Sequence, residues 1–199
     1  MNDGGKQKNT RDAILDATAI LLARHGYKEM TIDDLAQFVG IGKGSVYLHF
    51  SSKEEIALAH IDRIIDRLKS KLAAIANEKT AIEDRLRRML TERVLYRFDS
   101  VQHYSVSLNE LLSYIRPKLL EHRRRHFDEE ARIVASVIEE GQADSNLIEG
   151  DAFDLAQTLV TATNSLLPYS LSAFEIGDRK DIIDRTEKTA DLLIRGLKK

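Results

Sequence analysis

Apolar residues recur at the spacing of an α-helix along almost the whole chain, and no run of four or more strict alternations bounded by turn residues reads as a strand. That periodicity predicts an all-α fold. Ten glycines and two prolines in 199 residues leave few places for sharp turns, so the helices should be long. The length suffices for one or two domains with a buried core. The absence of cysteine excludes disulfides, thiolate metal sites and cysteine nucleophiles. No apolar run approaches the roughly 18 residues of a membrane span, and the polar start from Met1 to Thr10 lacks the apolar stretch of a signal peptide, so a cytoplasmic protein without membrane contact is expected. The net charge of -2 does not point to a polyanionic partner, although Lys6, Lys8 and Arg11 against Asp3 form a locally basic arm.

The spacing predicts a first helix from Thr10 to Gly26, with Ile14, Ala17, Leu21 and Leu22 on its apolar face. Thr31 can cap a second, Asp33 and Asp34 suit its first turn, and Gly40 ends it. A third short helix runs from Lys43 to about Phe50. Ser52 and Glu55 form a capping box that opens a helix reaching about Asn77, continuous into the rest of the chain without a flexible linker. Further helices are expected over 81–98, 105–116, 117–141, 151–174 and 179–197, with Pro117 at a first helical position and a polar loop over 142–150.

Three helices within residues 10–50, the second and third joined by Gly40, Ile41 and Gly42, have the arrangement of a helix-turn-helix whose third helix enters the DNA major groove. Gly42, Gly44 and Ser45 permit close approach to DNA, while Lys43, Tyr47, His49 and Lys53 offer donors to phosphates. On periodicity alone, a helical hairpin with a polar surface remains open. The residues Gly26, Tyr27, Thr31, Ile32, Leu35, Ala36, Gly40, Ile41, then Lys43 to Tyr47, His49, Phe50, and Ser52 to Glu54 resemble the N-terminal signature of the TetR family of transcriptional regulators. The resemblance covers about residues 14–56. It implies a dimeric, ligand-responsive regulator, usually a repressor, in which Thr31, Tyr47, His49 and Lys53 hold phosphates and Lys43, Gly44 and Ser45 face base edges. The family commonly has Ser or Thr where this chain has Gly42, so a contact there must come from the backbone amide or be absent.

Other readings fare worse. Gly40, Gly42, Lys43, Gly44 and Ser45 do not have the order or the preceding strand of a phosphate-binding loop. A helical di-iron enzyme needs two inward Glu-x-x-His pairs, which the chain lacks. The arginines at 123–125 point in different directions on a helix and read as a solvated surface. No catalytic residue, metal site or cofactor is expected.

Tyr96, Phe98, His103, Tyr104 and Tyr114, with Thr163, Asn164 and Leu167, suit a mostly apolar ligand pocket carrying a few orienting polar groups; ordinary core packing is the alternative for each. Helical stripes containing Leu155, Leu159 and Leu166, and Ile183, Leu193 and Leu197, read either as intrachain core or, with the family resemblance, as a homodimer interface. The expected organisation is a helix-turn-helix domain over 1–53 and a larger helical ligand-binding and dimerisation domain over 54–199. The expected function is a sequence-specific regulator released from operator DNA by a small-molecule effector. The alternatives are a helical enzyme with an unrecognised site and a DNA-binding protein without a sensor.

Overall fold

The computed structural model describes residues 3–102, 108–167 and 177–199. Every regular element among them is helical: α1 (Asp3–Glu29), α2 (Ile32–Val39), α3 (Lys43–Tyr47), α4 (Lys53–Ala76), α5 (Ile82–Gln102), α6 (Leu108–Ala143), α7 (Ala152–Asn164) and α8 (Arg179–Leu197). A single antiparallel bridge joins Leu147 to Lys198. The chain forms two compact units, one of Met1–Ile64 with His103–Glu121 and one of Ile65–Gln102 with His122–Lys199. It changes unit inside α4, between α5 and α6, and again inside α6.

Local chemistry explains most boundaries. Thr31 caps α2 in a reciprocal box: its hydroxyl oxygen accepts from the Asp34 amide at 3.1 Å, and its own amide donates to the Asp34 carboxylate at 2.9 Å. The Ser52 hydroxyl likewise accepts from the Glu55 amide at 3.1 Å, but the Glu55 carboxylate reaches back to the amide and hydroxyl of Ser51 instead of closing the box on Ser52. Gly40 leaves α2 in the left-handed region with φ 75°; its amide bonds to the Gln37 carbonyl and that of Ile41 to the Ala36 carbonyl, the paired bonds of a Schellman stop. Gly26 interrupts α1 with φ 76° and ψ 175°, a conformation essentially confined to glycine.

Three expectations are corrected. First, α1 begins at Asp3 rather than Thr10. Second, α6 runs unbroken through Pro117, where two helices were expected. Pro117 is exposed, while Ile115 before it is fully buried and Leu119 after it packs on the same core, so tertiary packing holds both sides of the missing backbone bond. Third, α7 ends at Asn164 rather than continuing to 174. There the Thr163 hydroxyl donates to the Leu159 and Val160 carbonyls and that of Ser165 to the Ala162 carbonyl, so side chains compete with the backbone ladder.

The first unit buries Ile14, Leu15 and Leu22 of α1, Leu35 of α2, Val46 of α3, Ile56 of α4 and Ile115 of α6 around one core. The second buries Leu68 and Leu72 of α4, Leu86 and Met89 of α5, Val134 and Ile138 of α6, and the inner faces of α7 and α8. Leu147, in the turn after α6, is fully buried in that core, and the neighbouring Ile148 amide donates to the Leu197 carbonyl at 2.8 Å.

Of the positive-φ glycines, Gly26 and Gly40 should differ in their tolerance of a side chain. A Cβ on Gly40 meets nothing within 4 Å, so Gly40→Ala should cost only the backbone strain of about 1–2 kcal/mol. Gly26→Ala forces a conformation that L-residues avoid in a buried position, and it should cost about 1–3 kcal/mol and exceed Gly40→Ala. Urea unfolding of the two variants beside the wild type checks the order.

Candidate nucleic-acid interface

Gly40, Ile41 and Gly42 turn the chain from α2 into α3, and the alternation of burial on α3 fixes which side faces out. Val46 and Phe50 are buried in the first unit's core, whereas Lys43, Gly44 and Tyr47 are exposed, Tyr47 by 49%. Gly42 precedes the helix in an extended conformation and supplies no side-chain cap. Ser45 and His49 are half-buried, and their amides are used locally, on the Gly42 carbonyl at 2.9 Å and the Val46 carbonyl at 3.0 Å. The Lys43 ammonium donates to Asp33 at 2.7 Å, which raises its pKa by hydrogen bonding and charge attraction. With both partners well exposed, this pair is weak and exchangeable.

Two of the expected phosphate donors are already engaged. The Thr31 hydroxyl donates to the Asp34 carboxylate at 2.7 Å, and these bonds from Thr31 hold the Asp34 carboxyl below its ordinary pKa. Lys53 donates to the Tyr27 carbonyl at 2.9 Å and the Lys28 carbonyl at 3.2 Å, with its ammonium 4.5 Å from the Tyr27 ring centroid. Lys53 therefore ties the end of α1 to the start of α4. Leu48, at 83% exposure, stands on the same outward stretch and was not singled out by sequence reasoning; its signal is its place one turn after Gly44.

The residues expected to line a ligand pocket have the following contacts. Tyr114 belongs to the first unit, where its ring lies 5.2 Å from that of Tyr27. His103 and Tyr104 fall outside the described residues. In the second unit, Tyr96 packs on the main core beneath the Lys71 ammonium, and Leu167 packs with Val94, Phe98 and Ile182. Thr163 and Asn164 serve a buried ionic network: the Arg93 guanidinium donates to Glu130 at 2.6 Å, to the Val160 carbonyl at 3.1 Å, to the Thr163 hydroxyl at 3.0 Å and to the Asn164 side-chain oxygen at 2.6 Å. Arg97 also pairs with Glu130. Of the stripe residues, Leu159 and Leu197 are buried in the chain's own core at 2% and 6% exposure, while Leu155, Leu166, Ile183 and Leu193 are only partly covered.

Residues 14–60, which span α1, α2, α3 and the start of α4, match the sequence model of the bacterial regulatory proteins of the tetR family. The chain carries the DNA-binding segment of that family and is a DNA-binding transcriptional regulator. Among its relatives is the HTH-type transcriptional repressor KstR2 of Mycolicibacterium smegmatis, 26% identical over 77% of this chain and 75% of that protein. The fold matches a TetR transcription regulator from Haloarcula marismortui at TM-score 0.75 and 19% identity, covering 96% of this chain and all of that one. It also matches a transcriptional regulator from Saccharomonospora viridis in complex with choline, at TM-score 0.66 and 22% identity, covering 94% of this chain and 96% of that one.

Asp33 holds the Lys43 ammonium beside the outward face of α3. For this regulator, Asp33→Asn should tighten binding to its DNA by about two- to fivefold, the range of one exposed charge interaction, and Lys43→Ala should weaken it. Fluorescence anisotropy with one labelled duplex at fixed salt measures both.

Proposed function

We propose that this regulator is a homodimeric repressor that leaves its operator when a small-molecule effector binds in the second unit. The outward face of α3, inside the segment that matches the family, is the observation that carries the DNA-binding half of this reading. The repressor KstR2 among the relatives supports repression, and the choline complex of a regulator with the same fold supports a small-molecule effector. We assign Lys43, Gly44 and Ser45 to base edges, and Tyr47, His49 and the Gly42 amide to phosphates, joined by Thr31 when its hydroxyl exchanges Asp34 for phosphate. Lys53 acts by holding α1 against α4 and so fixing the frame on which α3 sits. Residues 1–53 carry the DNA contacts, and 54–199 carry the effector and the second copy.

The proposed dimer face uses the partly covered Leu155, Leu166, Ile183 and Leu193, extended by Leu192, which is 73% exposed on α8. Leu159 and Leu197 back it from within. Tyr96 on α5, Thr163 and Asn164 on α7, and Leu167 just after α7 lie in the part we assign to the effector. Among the described residues no helix is long and apolar enough to cross a membrane, and we place the protein in the cytoplasm with its DNA.

Two measurements test this. Calorimetric titration of an effector found by thermal shift should give an affinity lowered by bound operator by the same factor by which the effector weakens operator binding, about 5–150-fold by linkage. Equal affinities with and without operator contradict the sensor. In sedimentation, the wild type should be a dimer and Leu192→Glu a folded monomer with weakened operator binding; a monomeric wild type at micromolar concentration contradicts the dimer.

A further inference from the structure

The outward face of α3 is not wholly polar. Leu48, directly after the helix, is 83% exposed, the largest value for a large hydrophobic side chain among the described residues. Its backbone is ordered helically, with φ -69° and ψ -22°, and its amide donates to the Gly44 carbonyl at 3.2 Å. The side chain therefore projects from a fixed point. One turn earlier on the same face, Gly44 has no side chain, and a Cβ there would meet nothing within 4 Å. Nothing from that turn screens the leucine. Val46 and Phe50, on the inner side, are buried and anchor the segment to the core.

A lone exposed leucine is ordinary on most surfaces. This one stands beside Tyr47 and on the segment that carries the Lys43 ammonium, inside the stretch that matches the family's sequence model. An isobutyl group has neither donor nor acceptor, so it cannot read the polar code of a base edge. The apolar group that duplex DNA presents in the major groove is the C5-methyl of thymine, and apolar side chains recognise it by contact. We propose that Leu48 is a specificity-determining residue that packs against a thymine methyl in each operator half-site. The proposal rests on the DNA-binding function and adds to it one base preference with a non-polar origin. It also gives Gly44 a second role: a side chain there would stand between Leu48 and the floor of the groove.

The test separates the methyl from the rest of the base. Duplexes that bind the full-length protein are first selected from a random pool, and each thymine of the selected site is then replaced singly by deoxyuridine, which removes only the methyl and keeps the pairing. At one thymine position per half-site, deoxyuridine should weaken wild-type binding by about fourfold, the worth of one buried methyl-sized group. Leu48→Ala should lose a similar factor on the thymine duplex and bind the thymine and deoxyuridine duplexes equally at that position only. Its salt dependence should match the wild type, because no phosphate contact is removed. The proposal is overturned if the wild type is indifferent to deoxyuridine everywhere, if the selected site contains no thymine, or if Leu48→Ala keeps the wild-type ratio between the two duplexes. A pool from which no duplex is enriched overturns the DNA-binding function itself, and the proposal with it.

Discussion

The left-handed backbone at Gly40 is the constraint on which the DNA-facing surface depends. With φ 75° there, α2 stops after two turns, its last carbonyls are satisfied by the amides of Gly40 and Ile41, and the chain is redirected into α3 within three residues. Only then can Val46 and Phe50 sink into the core that α1 and α2 have built while Lys43, Tyr47 and Leu48 face outward. A helix of five residues has too little propensity to form alone, so its stability comes from those two buried side chains. Position and exposure of the outward residues are thus consequences of the turn and the core, and Lys53 secures the same frame from the other end by capping α1.

The second unit is held partly by an interaction of a different kind. Arg93 and Glu130 are buried at 1% and 0% exposure, and Arg93 also reaches the last turn of α7 through the Val160 carbonyl, Thr163 and Asn164. A buried pair of this sort contributes little net stability against an apolar substitute, yet breaking it by removing one partner costs about 3–5 kcal/mol. Its effect here is positional: it fixes the end of α7 to α5 and α6, three helices that generic apolar packing would leave free to slide. The Phe127 ring, with the Arg93 and Arg97 guanidiniums 5.3 and 5.1 Å from its centroid, adds an aromatic face to the same cluster.

Much of this was legible in the sequence where the cause is local. The Thr31 cap, the Gly26 and Gly40 stops, the short α3 and the start of α4 after Ser52 all follow from side chains acting within a few residues, and the structure has them close to where the pattern puts them. What depends on distant partners was not legible. Pro117 is a helix breaker by local rules, and only the burial of Ile115 and the packing of Leu119 explain why α6 continues through it. The apolar stripe through Leu159 and Leu197 announces burial without saying against what, and the answer is the chain's own core. Lys53 looks like a free donor until the carbonyls of Tyr27 and Lys28 are found beside it, and no local pattern announces the contact between the rings of Tyr114 and Tyr27. Leu48 was missed because an apolar residue next to a helical stripe reads as core; only its exposure marks it as a surface feature.

Hydrogen exchange of the full-length protein with and without a selected operator duplex tests the central claim most directly, since it locates the contact without altering any residue. The account predicts new protection concentrated over residues 31–53, strongest in α3 (Lys43–Tyr47) and in the turn that follows it. Protection confined to residues 65–199, with the amides of α3 exchanging as fast as in the free protein, would contradict it.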